Sequence, residues 1–254
     1  IVCLFKFFKK RLDTYGLLCV YLGMKMRKNN MNVNLKKDLV DITNNHWDTW
    51  LKAKKKNSIK NNDFSFVDIG MDKEFLFHSR VGRSYDSSLG TLWEKILFRI
   101  SEEYNEDTFS KNEELVKYLT VDDKRWIIDL GFLREGLYNI LELKLGCQLD
   151  NKKAEVEKSK LGKRKQVLLE VVDKDVKTYL GVITNQLTDK PETWNKSTVL
   201  KEFTIGGDLL IERQVFDFVS GIDGFFDWVK KEIQPEVVKK WLEVYNEYKL
   251  FVGY

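Results

Sequence analysis

The sequence predicts an α/β fold in which a mixed central β-sheet is flanked by helices, with helical additions at the N- and C-termini. Two apolar runs, RWIIDLGFL and LYNILELKLG, are joined by a Gly-containing turn at 134–136, which is typical of an antiparallel hairpin. A further nearly continuous apolar run, Val176 to Leu187, is typical of a buried strand. With 254 residues, 2 prolines and no Ser/Gly-rich run, the chain is expected to form one globular unit.

The first 30 residues are apolar and basic, and we expect them to lie outside the folded domain. Their longest clean apolar run, Tyr15 to Met24, is far shorter than the ~20 residues that cross a bilayer. No small-residue cleavage site follows it. We therefore expect an extension over 1–30 that is either not native or poorly ordered, and a single domain over 31–254 with its catalytic core at about 80–225. The expected location is cytoplasmic, without a membrane partner.

The remaining elements follow from the spacing of the apolar residues. A helix is predicted where apolar residues recur every three or four positions, and a strand where β-branched and aromatic residues dominate. Helices are expected over 34–51, from Leu89 after a Ser87 or Ser88 cap, over Lys111–Leu119, over 151–170, over 224–233 and after Pro235. Strands are expected within 63–82, over Arg125–Leu133, over Leu137–Gly146 and over Val176–Leu187.

Composition excludes some kinds of site and leaves others open. Three scattered cysteines and two isolated histidines are too few for a disulfide framework or a zinc site. The net charge of +4 is uneven, because the first 60 residues have 14 Lys and Arg against 4 Asp and Glu, and the rest have 29 against 35. A mildly acidic body is compatible with a nucleic-acid enzyme, since only the cleft needs cations facing phosphate.

Three charged residues of the predicted hairpin form the candidate catalytic core. Asp129 lies within the first apolar run, and Glu142 and Lys144 flank Leu143 in the second. Residues two apart in a strand point to the same face, so Glu142 and Lys144 should project together, and an antiparallel partner strand can place Asp129 beside them. The hairpin thus predicts two carboxylates and an ammonium at one point of the sheet.

Such a group favours metal-dependent phosphodiester hydrolysis. Burying these charges unpaired would cost several kcal/mol, and a divalent cation held by Asp129 and Glu142 would remove most of that cost. Hard oxygen ligands favour Mg²⁺, and Lys144 could orient the attacking water, help to deprotonate it or offset charge in the transition state. The alternative is an edge hairpin whose Glu142 and Lys144 form a solvent-facing pair.

The motifs SLGTLWEKIL, WIIDLGF, ILELKLG, DNKKAEVEKSKLGKRK and DLLIERQVFDFVSGI resemble type II restriction endonucleases of the TdeIII kind. The resemblance covers residues 80–225. It implies the restriction-endonuclease-like PD-(D/E)XK fold, Mg²⁺ dependence, cleavage of a short symmetric site in double-stranded DNA and a DNA methyltransferase as genetic partner. It also suggests that Glu94 is an additional acidic residue of the metal site. The family pattern often has a proline before the aspartate, and none precedes Asp129.

Cationic residues on either side of the hairpin are candidates for DNA contacts. A homodimer is expected, because cutting both strands of a symmetric site calls for two active sites related by a two-fold axis. Two rival functions stay open: another nuclease of the same fold that acts in repair or on junctions, and a non-catalytic DNA-binding or scaffolding protein. The candidate DNA-binding residues are Arg80, Arg83, Lys152, Lys153, Lys163, Arg164 and Lys165.

Overall fold

A computed structural model describes residues 33–57, 73–110, 120–121, 124–125, 128–146, 151–184 and 199–252. Two long helices open this part of the chain, α1 over 33–57 and α2 over Lys73–Tyr104. They pack through aromatic rings: the buried Trp47 of α1 stacks on Tyr85 of α2 with ring centroids 5.7 Å apart. The helix predicted over 34–51 is confirmed. The predicted extension over 1–30 lies outside the described residues.

Helix α2 begins earlier than its sequence suggests. Ser87 and Ser88 lie inside the helix and do not cap it, and the strand prediction is wrong for residues 73–82, which are helical. Gly82, Gly90 and the serines lower the intrinsic helix propensity of this segment. Burial of one apolar stripe, which includes Phe77, Leu92 and Ile96, outweighs that cost.

Five strands form a mixed central sheet, as predicted. The strands are β1 Asp107–Phe109, β2 Thr120–Val121, β3 Lys124–Arg125, β4 Leu130–Arg134, β5 Leu137–Lys144, β6 Val176–Val182 and β7 Leu209–Ile211. The order in the central sheet is β1-β4-β5-β6-β7; β4 runs antiparallel to its neighbours β1 and β5, and β6 and β7 run parallel to β5. Strands β2 and β3 form a separate two-stranded ribbon.

The predicted hairpin is confirmed as β4 and β5, with Leu130 opposite Leu141. Its turn places Glu135 and Gly136 at φ of 51° and 74°, the left-handed conformation of a tight two-residue hairpin turn. Strand β4 begins at Leu130, so Asp129 precedes the strand and the expectation of a mid-strand position is wrong. The Asp129 carboxylate accepts the Leu143 main-chain N–H at 2.9 Å, so a side chain supplies an acceptor where the ladder stops.

Helices connect and cover the parallel strands. Helix α3 (Asn151–Val171) joins β5 to β6 and confirms the helix predicted over 151–170. The predicted strand from Val176 ends at Val182, and residues 185–187 lie outside the described part, as does the predicted helix Lys111–Leu119. The last two predicted helices are confirmed as α6 and α7. The remaining helices are α4 Val199–Glu202, α5 Arg213–Ser220, α6 Phe225–Glu232 and α7 Gln234–Phe251.

The two faces of β5 pack against different helices. Leu141 and Leu143 point into the main apolar core, which also contains residues of α1, α2, α5 and α6. Ile140 points to the opposite face and packs with Leu168 of α3. Glu142 and Lys144 alternate with the core leucines, so they share the face that α3 covers. Among the described residues, no helix combines the length and apolar character that crossing a bilayer requires.

Candidate active site

Asp129, Glu142 and Lys144 meet at the end of the β4–β5 hairpin. Lys144 Nζ lies 2.5 Å from Glu142 Oε1, and the Leu143 main-chain N–H between these two residues binds Asp129 Oδ2. Strand β5 is flanked by β4 and β6, and the Glu142 side chain is only 8% exposed. The alternative of a solvent-facing pair on an edge strand is therefore wrong, although the catalytic roles of these residues stay a prediction.

Helix α3 adds two charged side chains to this group, and the sequence did not predict this role for either of them. The buried residues of α3 alternate in steps of three and four, which makes one continuous stripe, and two of them are Glu157 and Arg164. Arg164 NH1 lies 2.5 Å from Glu142 Oε2, and Glu157 Oε1 lies 3.8 Å from Lys144 Nζ. The sequence signal was two charged residues on the apolar stripe of an amphipathic helix, formed by Ala154, Glu157, Leu161, Arg164 and Leu168.

The pKa values of Asp129 and Glu142 are shifted in opposite directions. Burial, together with the neighbouring charges of Glu142 and Glu94, raises the pKa of Asp129 to about 7, against the opposing effects of the Leu143 hydrogen bond and the charge of Lys144. Burial also acts to raise the pKa of Glu142, but Arg164 and Lys144 hold it below its ordinary value. Burial acts to lower the pKa of Lys144, whereas Glu142 raises it by more, so Lys144 is protonated at neutral pH.

The charge balance of the site fits a divalent cation. With every group ionised, the four carboxylates outnumber the three cations and leave a net charge of −1; the groups are Glu94, Asp129, Glu142, Glu157, Lys144, Lys160 and Arg164. Burial and the negative charges of Glu142 and Glu94 account for the raised pKa of Asp129. Asp129 and Glu142 supply the hard oxygen atoms that Mg²⁺ prefers.

Within the described residues, no group of three or more His, Cys, Asp and Glu side chains is placed to hold a metal ion. A metal would therefore rest on the pair Asp129 and Glu142, with water or substrate completing its coordination, which is the usual way Mg²⁺ is bound. Glu94 of α2 acts on Asp129 electrostatically, so it lies near the three hairpin residues, but it does not join Asp129 and Glu142 in one metal-binding group.

The predicted DNA-binding cations divide into an exposed set and one buried member. Lys153, Lys163 and Lys165 are exposed on α3, and their predicted role stays open. Arg164 is a correction, because its guanidinium is 7% exposed and bound to Glu142, which leaves it no access to a DNA phosphate at the surface. The side chains of Arg80 and Lys152 lie outside the described part.

Arg83, a candidate DNA-binding residue, lies on α2. Its exposed guanidinium donates to the main-chain oxygen and hydroxyl of Ser79, one helical turn away, at 3.4 and 3.5 Å. These long contacts with its own helix leave the side chain at the surface, so a DNA contact stays a prediction.

Neither histidine takes part in the candidate site. His46 Nε2 lies 2.8 Å from Ser88 Oγ, and His46 Nδ1 lies 3.3 Å from Lys95 Nζ, in the packing between α1 and α2. Burial and the charge of Lys95 lower the pKa of His46 to about 4, so the ring is neutral at pH 7. His78 Nδ1 lies 3.1 Å from the Tyr245 hydroxyl. Both rings act in helix packing.

A shallow groove of about 660 Å³ runs along the outer side of α7 and is separate from this chemistry. Its walls are the residues of a single helix, among them Val238 and Leu242, and they include none of the candidate catalytic residues. The buried charges beneath α3 therefore define the candidate site.

The comparisons with known proteins add no relative. No family model matches this chain, and no curated protein matches it either. The architecture and the site geometry accordingly carry the functional argument.

Proposed function

We propose that this chain is a Mg²⁺-dependent endonuclease of the PD-(D/E)XK type that hydrolyses phosphodiester bonds in double-stranded DNA as a type II restriction enzyme. The observation that carries the proposal is the meeting of Asp129 with Glu142 and Lys144 through the Leu143 N–H. A carboxylate pair with an adjacent ammonium provides what in-line phosphodiester hydrolysis needs, namely cation ligands and a positive charge for the transition state.

The arrangement of the elements supports the same proposal. Helix α2 precedes three antiparallel strands, β1, β4 and β5, and helix α3 then leads to the parallel strand β6. This order of helix, hairpin, helix and strand around a mixed sheet is compatible with the proposed PD-(D/E)XK fold. The candidate residues lie at the end of the central hairpin and beneath α3, where the Glu142 side chain is buried.

Each residue has a distinct role in the proposed mechanism. Asp129 and Glu142 would hold the cation, which when bound polarises the scissile phosphate and lowers the pKa of a bound water. Lys144 keeps its proton at neutral pH because Glu142 raises its pKa. Lys144 therefore offsets the negative charge that develops on the phosphate, and in this protonated form it does not act as the base. Glu94 adds negative potential at Asp129.

The decisive experiment is cleavage of unmethylated phage DNA by the purified protein with Mg²⁺ or Mn²⁺ and with EDTA. Two variants that each remove one negative charge are assayed beside the wild type: Glu142→Gln in the site and Glu155→Gln on the exposed side of α3. We expect discrete bands that need the metal, at least a ~100-fold loss of rate for Glu142→Gln, and wild-type rates for Glu155→Gln.

The same assay separates the rival functions. Cleavage of four-way junctions or flaps, but not of linear duplex, would replace restriction with a structure-specific nuclease. DNA binding by well-folded protein that cuts none of these substrates with either metal would favour a non-catalytic DNA-binding protein. Mapped ends at one repeated sequence would establish the restriction enzyme. The proposed homodimer and methyltransferase partner rest on that outcome.

A further inference from the structure

Arg164 occupies an unusual place for an arginine in a metal-dependent active site. Its side chain is 7% exposed and extends from the inner face of α3 to Glu142 Oε2, 2.5 Å away. The second oxygen of the same carboxylate is bound by Lys144, also at 2.5 Å. Both oxygens of a proposed metal ligand are thus bound by cations of the protein itself.

This arrangement has an electrostatic consequence for metal binding. A guanidinium stays protonated at any physiological pH, so its charge cannot be removed when a cation arrives. A divalent cation on the same carboxylate must either displace Arg164 or bind against its repulsion. Even at a water-like dielectric and a separation of about 6 Å, that repulsion is worth about tenfold in the dissociation constant.

We propose that Arg164 is an internal counter-ion that competes with the divalent cation for Glu142. Without metal, Arg164 neutralises the buried carboxylate and fixes its orientation; with metal, its contact with Oε2 loosens. The inference rests on the proposed function, because it assigns Arg164 a positioning role in that site. It explains why a buried arginine lies on the apolar stripe of α3, where a leucine would pack at lower desolvation cost.

The test measures metal binding without DNA. Isothermal titration with Mn²⁺ and Mg²⁺ compares the wild type with Arg164→Met, Arg164→Lys and the control Lys239→Met, which removes an exposed lysine of α7. We expect Arg164→Met to bind Mn²⁺ about tenfold more tightly and to melt at a lower temperature in EDTA. Arg164→Lys and Lys239→Met should bind as the wild type does. Unchanged or weaker Mn²⁺ binding by folded Arg164→Met would overturn the inference.

A second measurement on the wild type covers the case in which Arg164→Met fails to fold. The arginine Nε–H signals of ¹⁵N-labelled protein are followed during a Mg²⁺ titration, and the Arg164 signal is identified by its absence from Arg164→Lys. We expect this signal to shift and to exchange faster with solvent on saturation, and an unchanged signal would overturn the inference. Failure of the wild type to bind either cation would overturn the proposed nuclease as well, whereas binding without an Arg164 effect would leave the nuclease standing.

Discussion

At the residue scale, the charges of the candidate site lower the stability of the folded protein unless a cation binds. Asp129 is a partly buried carboxylate that is affected by the charges of two others, Glu142 and Glu94, with one described hydrogen bond to offset its burial. Glu142 is held by two cations, but Asp129 has no cation of the protein in direct contact among the described ion pairs. Such unfavourable charge is what a functional site retains when a ligand supplies the missing partner.

The pH dependence of stability follows from the raised pKa of Asp129. Because the folded state binds this proton more strongly than the unfolded state, its contribution to the free energy of unfolding is lost as pH rises from about 4 to about 7. Replacing Asp129 with Asn removes that loss, so the variant should be more stable than the wild type by about 2–4 kcal/mol at pH 8 in EDTA. Urea unfolding at pH 5 and pH 8 measures it, and equal stabilities at pH 8 would contradict the raised pKa.

His46 gives the opposite dependence over the same range. Its pKa of about 4 in the folded state is below the unfolded value of 6.5, so the unfolded state binds the proton more strongly and stability is lost as pH falls through this window. As pH falls through this window, we expect His46→Gln to lose about 1–2 kcal/mol less of its free energy of unfolding than the wild type does, a value reduced to allow for solvent screening. Because the titration of Asp129 changes stability in the opposite direction, each effect is measured as the difference between the wild type and the corresponding variant. A pH profile of His46→Gln identical to that of the wild type would rule this out.

At the element scale, local patterns predicted the hairpin and the helices that pack along one stripe. The β4–β5 turn could be predicted because Gly136 and the flanking apolar runs are a local signal. Helix α2 was predicted too short, since its first half depends on aromatic contacts with α1 and α7 that are distant in sequence. Tertiary burial overrode local propensity there.

The candidate site was predictable only in the part that one hairpin contains. Glu142 and Lys144 are related by the period of a strand, and Asp129 directly precedes its partner strand β4. Glu157 and Arg164 reach the site through the crossover from β5 to β6, which the sequence does not show. The many lysines around them in the sequence are typical of a solvated surface. Arg164 differs in exposure from its neighbours Lys163 and Lys165 only because one side of α3 is buried against the sheet.

Packing of β1 on β4 depends on the absence of a side chain at Gly131. A Cβ there would lie 2.3 Å from the ring of the buried Phe109. Gly131→Ala should therefore lower the free energy of unfolding by about 1–3 kcal/mol. The control Gly82→Ala meets no atom within 4 Å on α2 and should raise it by about 0.5–1 kcal/mol. Phe109→Leu should partly rescue Gly131→Ala, and additive losses in the double variant would argue against the clash.

The outer face of α3 should contribute to DNA affinity without sequence preference. Lys163 and Lys165 are exposed on either side of the buried Arg164. If both contact phosphates, the variant Lys163→Ala/Lys165→Ala should lower the slope of log affinity against log salt by about 2 units. Fluorescence anisotropy in Ca²⁺ measures the slope, and Lys239→Ala/Lys249→Ala on α7 is the control of equal charge change. An unchanged slope would assign DNA binding to another surface.

At the scale of the whole molecule, the proposed function would bring a polyanion to a site that is itself acidic. Residues 61–254 have 35 Asp and Glu against 29 Lys and Arg, and the candidate site itself carries a net negative charge. A DNA phosphate would be repelled there until a divalent cation is bound. Cation binding should therefore precede or accompany productive DNA binding, while cations on α3 hold the duplex nearby.

The proposed two-fold assembly has a consequence that one active site cannot reproduce. The chain has a mass of 30.0 kDa and one candidate site among its described residues, so under the proposed function a single protomer would cut one strand at a time. A homodimer should convert supercoiled plasmid directly to linear product, because both strands are cut in one encounter.

A mixing experiment tests the dimer further. When the wild type exchanges subunits with an excess of Glu142→Gln protein, it should instead give nicked circles, since most active subunits are then in heterodimers with one working site. Gel analysis of the plasmid forms measures this, with Glu155→Gln as the partner that keeps linear product. If the wild type alone gives nicked circles before linear DNA at every protein concentration, the two strands are cut by independent protomers.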